Sequence, residues 1–218
     1  MSYLFPFHIL DLFGTIVFAS GGALIAKDQQ RGAATALLYA VLTALGGGTI
    51  RDLLLYRYPV FWMRSPVYLI IASTAALLTY WLISFQNRRI REFWIAGAVS
   101  LAAFTVVGAQ TALASPVLEG APALSLFVAP LMGLLTSIGG GFVRDAVNDV
   151  TPFVVLHPGY TIASLAGGIV YSLLAIVQTP AVVCILGAIA VVFLLLPVPI
   201  QSLYKIFPAL SPPNLRAE

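Results

Sequence analysis

The feature that most constrains the fold is the spacing of the apolar runs: stretches of about 20 residues with few charges, the length at which a helix crosses the hydrocarbon core of a bilayer. That ruler divides the 218-residue chain into seven candidate spans, near residues 6–26, 32–55, 66–85, 93–114, 121–147, 159–178 and 180–199. The connections read KDQQR, RYPVFWMRSP, QNRRIRE, SPVLEGAP, NDVTPFVVLHPG and TP. Composition agrees, with 60% hydrophobic and 9% charged residues and a mean hydropathy of +0.99, far from the soluble average. The expectation is an all-α membrane protein forming one transmembrane domain over 1–218. The N-terminal run MSYLFPFHILDLFG has no basic leader and carries Asp11, so it reads as mature helix rather than cleavable signal. The basic residues lie mostly between apolar runs, which points to topology and not to a nucleic-acid partner. Cys184 is the single cysteine and reads as a small buried side chain.

One motif occurs twice. GGGTIRDLL at 46–54 returns as GGGFVRDAV at 139–147, an offset of 93 that holds from Ala40 and Gly133 through Pro59 and Pro152. Upstream, FASGGALIA at 18–26 matches FTVVGAQTA at 104–112 with an offset of 86, pairing Phe18 with Phe104 and Gly22 with Gly108. Repeat one then covers about 6–85, repeat two about 93–178, and a seventh helix at about 180–199 is left over. Three crossings per unit is an odd number, so the second unit enters from the opposite side and the repeats are inverted. Loop charges set the orientation. Lys27, Arg31, Arg88, Arg89, Arg91, Lys205 and Arg216 fall on one side, against Arg57 and Arg64 on the other. The positive-inside rule makes the first side cytoplasmic, with an external N-terminus and a cytoplasmic C-terminus.

Three consecutive glycines cost about 1 kcal/mol each against alanine, which favours a kink or local unwinding. Irregular backbone at membrane depth must face protein or a water-filled cavity. A small-residue stripe, Ala40, Ala44, Gly48 and Asp52, matched by Gly133, Ser137, Gly141 and Asp145, ends in a carboxylate in both copies. Close helix packing would account for the small residues, and snorkelling would account for Arg51 and Arg144. Neither accounts for a repeated Arg-Asp pair, because charge within the membrane costs at least about 2.5 kcal/mol per group and marks a partner or a water path. Inversion puts Arg51 and Asp52 toward one face and Arg144 and Asp145 toward the other, so two polar vestibules with a glycine waist would form an hourglass. Asp11 is a structural or vestibule carboxylate at the external end. His8 and His157 have no second ligand at metal spacing, and GGGTIRD lacks the GxxxxGK[ST] pattern of a phosphate loop. No metal or cofactor is expected.

The paired GGGxxRD motifs, the FASGGALIA and FTVVGAQTA segments and the three-plus-three-plus-one layout resemble the bacterial branch of the trimeric intracellular cation (TRIC) channel family, also described as a glycine-transporter-like domain. The resemblance implies a homotrimer whose subunits each hold a potassium-permeable hourglass pore, lined mainly by helices 2 and 5 and kinked at Gly46, Gly47, Gly48, Gly139, Gly140 and Gly141. The chain departs from the family pattern where an acidic residue early in helix 4 and a basic one near its end are replaced by Gly97 and Thr111. The expected function is a monovalent cation channel, with potassium as the ion and membrane lipids as surroundings. Glycine carbonyls, helped by Thr49, Thr136 and Ser137, would partly replace the ion's water. Asp52 and Asp145 would concentrate cations, and Arg51 and Arg144 would act as latches through cross-repeat pairing. A secondary transporter of a small solute such as glycine is the alternative, because inverted repeats and broken helices also serve carriers. A scaffold gains nothing from the glycine cost, and no nucleophile-base arrangement suggests an enzyme.

Overall fold

The computed structural model describes residues 5–82 and 90–196, with side chains from residue 7 in the first segment and from 97 in the second. Among these residues the structure is helical throughout, without strands. The long helices are α1 (Phe5–Asp28), α2 (Ala33–Leu54), α4 (Val67–Leu82), α5 (Ile90–Leu113), α6 (Pro122–Val147), α8 (Pro158–Ile176) and α9 (Ala181–Leu195). Two four-residue helices, α3 (Phe61–Arg64) and α7 (Phe153–Leu156), precede α4 and α8, and a 3₁₀ turn, Pro116–Leu118, follows α5. Phe7–Asp28, Ala33–Leu54, Pro122–Val147 and Pro158–Ile176 are long and apolar enough to cross a membrane, and Val67–Leu82, Gly97–Leu113 and Ala181–Leu195 are shorter apolar helices. The expected span ends at 83–85 and 197–199 lie outside the described residues.

Local chemistry places the ends. Pro122 and Pro158 open α6 and α8 in the first turn, where the missing N–H would have no intrahelical partner in any case. Helices α2 and α6 close in the same way. Tyr56 (φ 53°) and Asp149 (φ 54°) take the left-handed conformation. The next amides, of Arg57 and Val150, donate back to the carbonyls of Asp52 and Asp145 at 2.8 and 3.1 Å, as in a Schellman ending. Pro130 sits inside α6 and frees a carbonyl one turn earlier.

Helices α2 and α6 form the centre and pack on each other. Helices α1 and α4 flank α2, α5 and α8 flank α6, and α9 packs on α8 and α5. The close approaches use small residues, as expected where no hydrophobic drive separates one apolar surface from another. Ala19, Ala23, Ala36, Ala40, Ala72 and Ala76 fill the core of the first half. A Cβ on Gly22 would sit 2.5 Å from the Tyr39 carbonyl oxygen, and one on Gly108 would sit 2.5 Å from that of Met132. These are matching contacts, since Tyr39 and Met132 are 93 residues apart. Phe18 and Phe104 meet edge-to-face with centroids 4.9 Å apart.

Candidate functional site

The doubled motif lies at the α2–α6 crossing. Gly47 faces the carbonyls of Leu135 and Thr136, and Gly140 faces those of Leu42 and Thr43. A Cβ on either would come within 2.9 Å of the leucine oxygen and nearer still to the threonine oxygen. A Cβ on Gly46 would lie 3.1 Å from Gly140 Cα, and one on Gly139 would lie 3.2 Å from Gly47 Cα. The pairing runs upward in one helix and downward in the other, so the helices are antiparallel at the contact. Every one of these contacts recurs when residue n is exchanged for n+93. Gly48 meets the Phe61 ring, at 2.6 Å from a built Cβ, whereas the nearest neighbour of Gly141 is Arg144 Nη2 at 3.9 Å.

This corrects one expectation. Both helices run unbroken through their glycines, so local unwinding does not occur and the glycine carbonyls remain within regular helix. The missing side chains are used for backbone approach between two helices.

Each Arg-Asp pair closes on itself. Arg51 Nη2 lies 2.8 Å from Asp52 Oδ1, and Arg144 Nε donates to Asp145 Oδ1 at 2.7 Å. The expected cross-repeat pairing of arginine with aspartate is therefore replaced by pairing between chain neighbours. The geometric reason is that the second carboxylate oxygen already has a task. Asp52 Oδ2 accepts the Phe61 amide at 2.8 Å, and Asp145 Oδ2 accepts the Phe153 amide at 2.9 Å, so each aspartate holds the first amide of a four-residue helix. Exposure is only 4% and 1% for Arg51 and Asp52, and 7% and 5% for Arg144 and Asp145. Both pairs are thus desolvated and need each other. Arg51 also lies over the Phe61 ring at 5.6 Å. One bond from these paired residues crosses between halves: Arg144 Nη1 donates to Thr43 Oγ1 at 3.3 Å.

The two ends of the crossing are tied differently. Beyond α2, half-buried Arg57 donates to the Thr111 carbonyl at the end of α5, at 3.3 Å. Burial pushes its pKa below the usual arginine value, and Asp52 partly offsets this. Beyond α6, Asn148 accepts from the Tyr39 hydroxyl and donates to Gln29 Oε1 at 3.2 Å. Asp11 lies at the α2 C-terminal end, where its Oδ2 accepts the Tyr68 hydroxyl at 2.9 Å.

The hydroxyls expected along the path are otherwise engaged. Thr49 donates to the Leu45 carbonyl at 2.7 Å and accepts from Trp62 Nε1 at 3.0 Å. Thr136 donates to the Met132 carbonyl at 2.6 Å. Ser137 points away from the crossing to Ser164, at 2.8 Å, which in turn meets Thr105 at 2.7 Å, a buried chain linking α6, α8 and α5. A cavity of about 300 Å³ beside the crossing is lined by Leu45, Gly46, Thr49, Ile50, Trp62 and Val143 among others, and is apolar. His157 stacks on Phe153 at 4.1 Å at the start of α8.

Comparison with known proteins gives a consistent result. Residues 8–84 and 94–176 match the family model described as "Glycine transporter". The UPF0126 inner membrane protein YadS of Escherichia coli (strain K12) is 36% identical over 75% of this chain and 76% of its own. A UPF0126 membrane protein of Deinococcus radiodurans is 33% identical over 86% of this chain and 85% of its own. Among solved structures, the TRIC trimeric intracellular cation channel orthologue from Rhodobacter sphaeroides superposes with a TM-score of 0.77 at 30% identity, covering 93% of this chain and 98% of that one. A chain from work on the structural basis for conductance through TRIC cation channels shares the fold, with a TM-score of 0.76 at 24% identity over 92% of this chain and 93% of that one. Matched in both halves by the family's model and along nearly the whole length of a solved relative, this chain belongs to the bacterial branch of the TRIC family.

Proposed function

We propose that the chain is a cation channel of the inner membrane, with potassium as its ion and three copies assembling among membrane lipids. Seven helices cross the bilayer as two inverted repeats plus α9, over residues 1–218, with the N-terminus external and the C-terminus cytoplasmic. The observation that carries the reading is the α2–α6 crossing, whose contacts recur under the 93-residue exchange and which has a buried Arg-Asp pair beyond each side. A scaffold would need no such repeated charge at membrane depth. The proposed path is an hourglass whose waist is Gly46–Gly48 against Gly139–Gly141. The waist leaves no room for a methyl group at Gly47 or Gly140, so ion passage requires the two backbones to part. Small residues suit this motion because the glycines present no side chains to interlock at the waist itself.

The paired charges then act differently from simple attractors. Asp52 and Asp145 fix the short helices that follow, Arg51 and Arg144 neutralise them, and each pair makes a rigid rim. Thr49 and Thr136 keep donating to their helix carbonyls and offer an oxygen lone pair to an ion only if the waist opens, whereas Ser137 is turned to Ser164 and would have to rotate to join them. No chemical transformation is assigned, and no cofactor is needed.

A secondary transporter of a small solute such as glycine is the second reading, favoured by the description of the matching family model. Proteoliposomes loaded with potassium decide between them. A channel gives valinomycin-independent potassium efflux that is linear in the gradient and indifferent to glycine. Saturable glycine uptake without potassium flux overturns the proposal.

A further inference from the structure

The two halves place different chemistry at corresponding positions. Offsets of 86, 93 and 92 for α1, α2 and α4 pair Ala19 with Thr105, Ala44 with Ser137 and Ala72 with Ser164. The last offset is the one that pairs Phe61 with Phe153 and Tyr68 with Tyr160, whose rings pack edge-on in both halves, at 4.9 and 5.2 Å. In the first half the three alanines are buried in one apolar cluster. In the second half the three hydroxyl residues, none more than 2% exposed, form the chain in which Ser164 meets Ser137 at 2.8 Å and Thr105 at 2.7 Å. Helix α6 is thereby hydrogen-bonded through α8 to α5, where α2 meets α1 and α4 through methyl groups.

Two further features hold the same half together. A Cβ on Gly168 of α8 would sit 2.9 Å from Pro130 Cα of α6, a backbone approach, whereas Ala76 and Leu37 take these places in the first half and bring side chains to the contact. Helix α9 packs on α8 and α5, with a Cβ on Gly167 lying 3.2 Å from the Ala188 carbonyl oxygen. Among the described residues the first half has no added helix stacked on α4 and α1 in this way.

Building on the reading that the two backbones part at the waist, we infer that the parting is unequal: α6 stays fixed to α5, α8 and α9, and α2 is the wall that moves. Separating the buried hydroxyls would leave polar groups without partners in an apolar interior. Alanine surfaces separate into lipid with the loss of packing contacts alone. The bonds that join the halves do not reverse this order, because those from Arg144 to Thr43 and from Tyr39 to Asn148 must be released whichever helix moves.

The test is amide hydrogen exchange read by mass spectrometry on the full chain in lipid nanodiscs, comparing residues 40–48 of α2 with their counterparts 133–141 of α6. Exchange reports local opening, which is easiest where a segment has the fewest ties. Two interhelix bonds of average strength in a membrane correspond to about an eightfold difference in protection, so wild-type α6 should be at least about eightfold better protected than α2. Ser164→Ala installs the residue that the first half already carries and breaks both interhelix bonds. Protection at 133–141 should then fall about eightfold while that at 40–48 stays as in wild type. Ser137→Ala removes one bond, should lower α6 protection about threefold, and keeps the inference open to refutation if Ser164→Ala folds poorly. Equal protection of the two segments in wild type overturns the inference, as does an equal fall in both segments on Ser164→Ala. The exchange readout needs no current, so its failure is separate from a failure of the channel reading.

Discussion

Replacing Gly47 or Gly140 with alanine adds one methyl group at the place where two helix backbones touch. The built Cβ comes within 2.9 Å of the Leu135 or Leu42 oxygen, against an ordinary contact of 3.4 Å or more, and approaches the neighbouring threonine oxygen more closely. Both partners are backbone, so no rotamer change relieves the clash and the helices must separate by about 1 Å, which forfeits a quarter to a half of each contact's dispersion energy. The expected destabilisation is about 1–3 kcal/mol, lessened by up to about 1 kcal/mol from alanine's better helix propensity. Gly141→Ala supplies the control, with its nearest neighbour at 3.9 Å, and should be neutral or mildly stabilising. The two damaging changes share one interface, so parting the helices for one makes room for the other and the double variant should lose less than the sum. Thermal melts in detergent compare all four variants with wild type. Gly47→Ala and Gly140→Ala melting with wild type, or Gly141→Ala melting as low as either, would refute the backbone crossing.

Three further outcomes follow from the same geometry. Asp52→Asn and Asp145→Asn leave a buried guanidinium without its counter-charge and should each cost about 3–5 kcal/mol, read as a lowered melting temperature; unchanged melting would show that the pairs are solvated. Asn148→Ala removes the bonds to Tyr39 and Gln29 and should cost about 1–2 kcal/mol, with Asn148→Asp closer to wild type because Tyr39 keeps its acceptor. In a Cys184→Ala background, a cysteine at Gln30 should label only from the cytoplasmic face and one at Glu119 only from outside, using an impermeant maleimide on intact cells and on inverted vesicles; labelling of both from one face would contradict the inverted repeats.

The periodic parts of this molecule were readable because long apolar runs have few alternatives. The expected span 121–147 is matched by Pro122–Val147, and 32–55 by Ala33–Leu54. The importance of the glycines was readable too, but their use was not. A triple glycine permits bending and close approach equally, and only the facing carbonyls of Thr43 and Thr136, about 90 residues away in the chain, decide for approach. The Arg-Asp pairs were recognisable as repeated charge, whereas their partners depended on side-chain direction at the end of a helix, which spacing does not report. Helices α3 and α7 were missed because four residues are too few for a period. A signal existed in the prolines at 59 and 152, each followed within two residues by the phenylalanine whose amide the aspartate holds. The Thr105–Ser164–Ser137 chain left no trace in the sequence beyond three ordinary hydroxyls.

The most direct measurement of the central claim is a recording from the purified protein in a planar bilayer, with about 0.5 M KCl on one side and about 0.05 M on the other, in parallel with radiolabelled glycine uptake into vesicles from the same preparation. A cation channel gives discrete steps that reverse near the potassium equilibrium potential, about 59 mV in magnitude for a tenfold gradient, and Gly47→Leu with Gly140→Leu abolishes them. Glycine accumulation without discrete steps, or steps reversing near the chloride potential, would contradict the account.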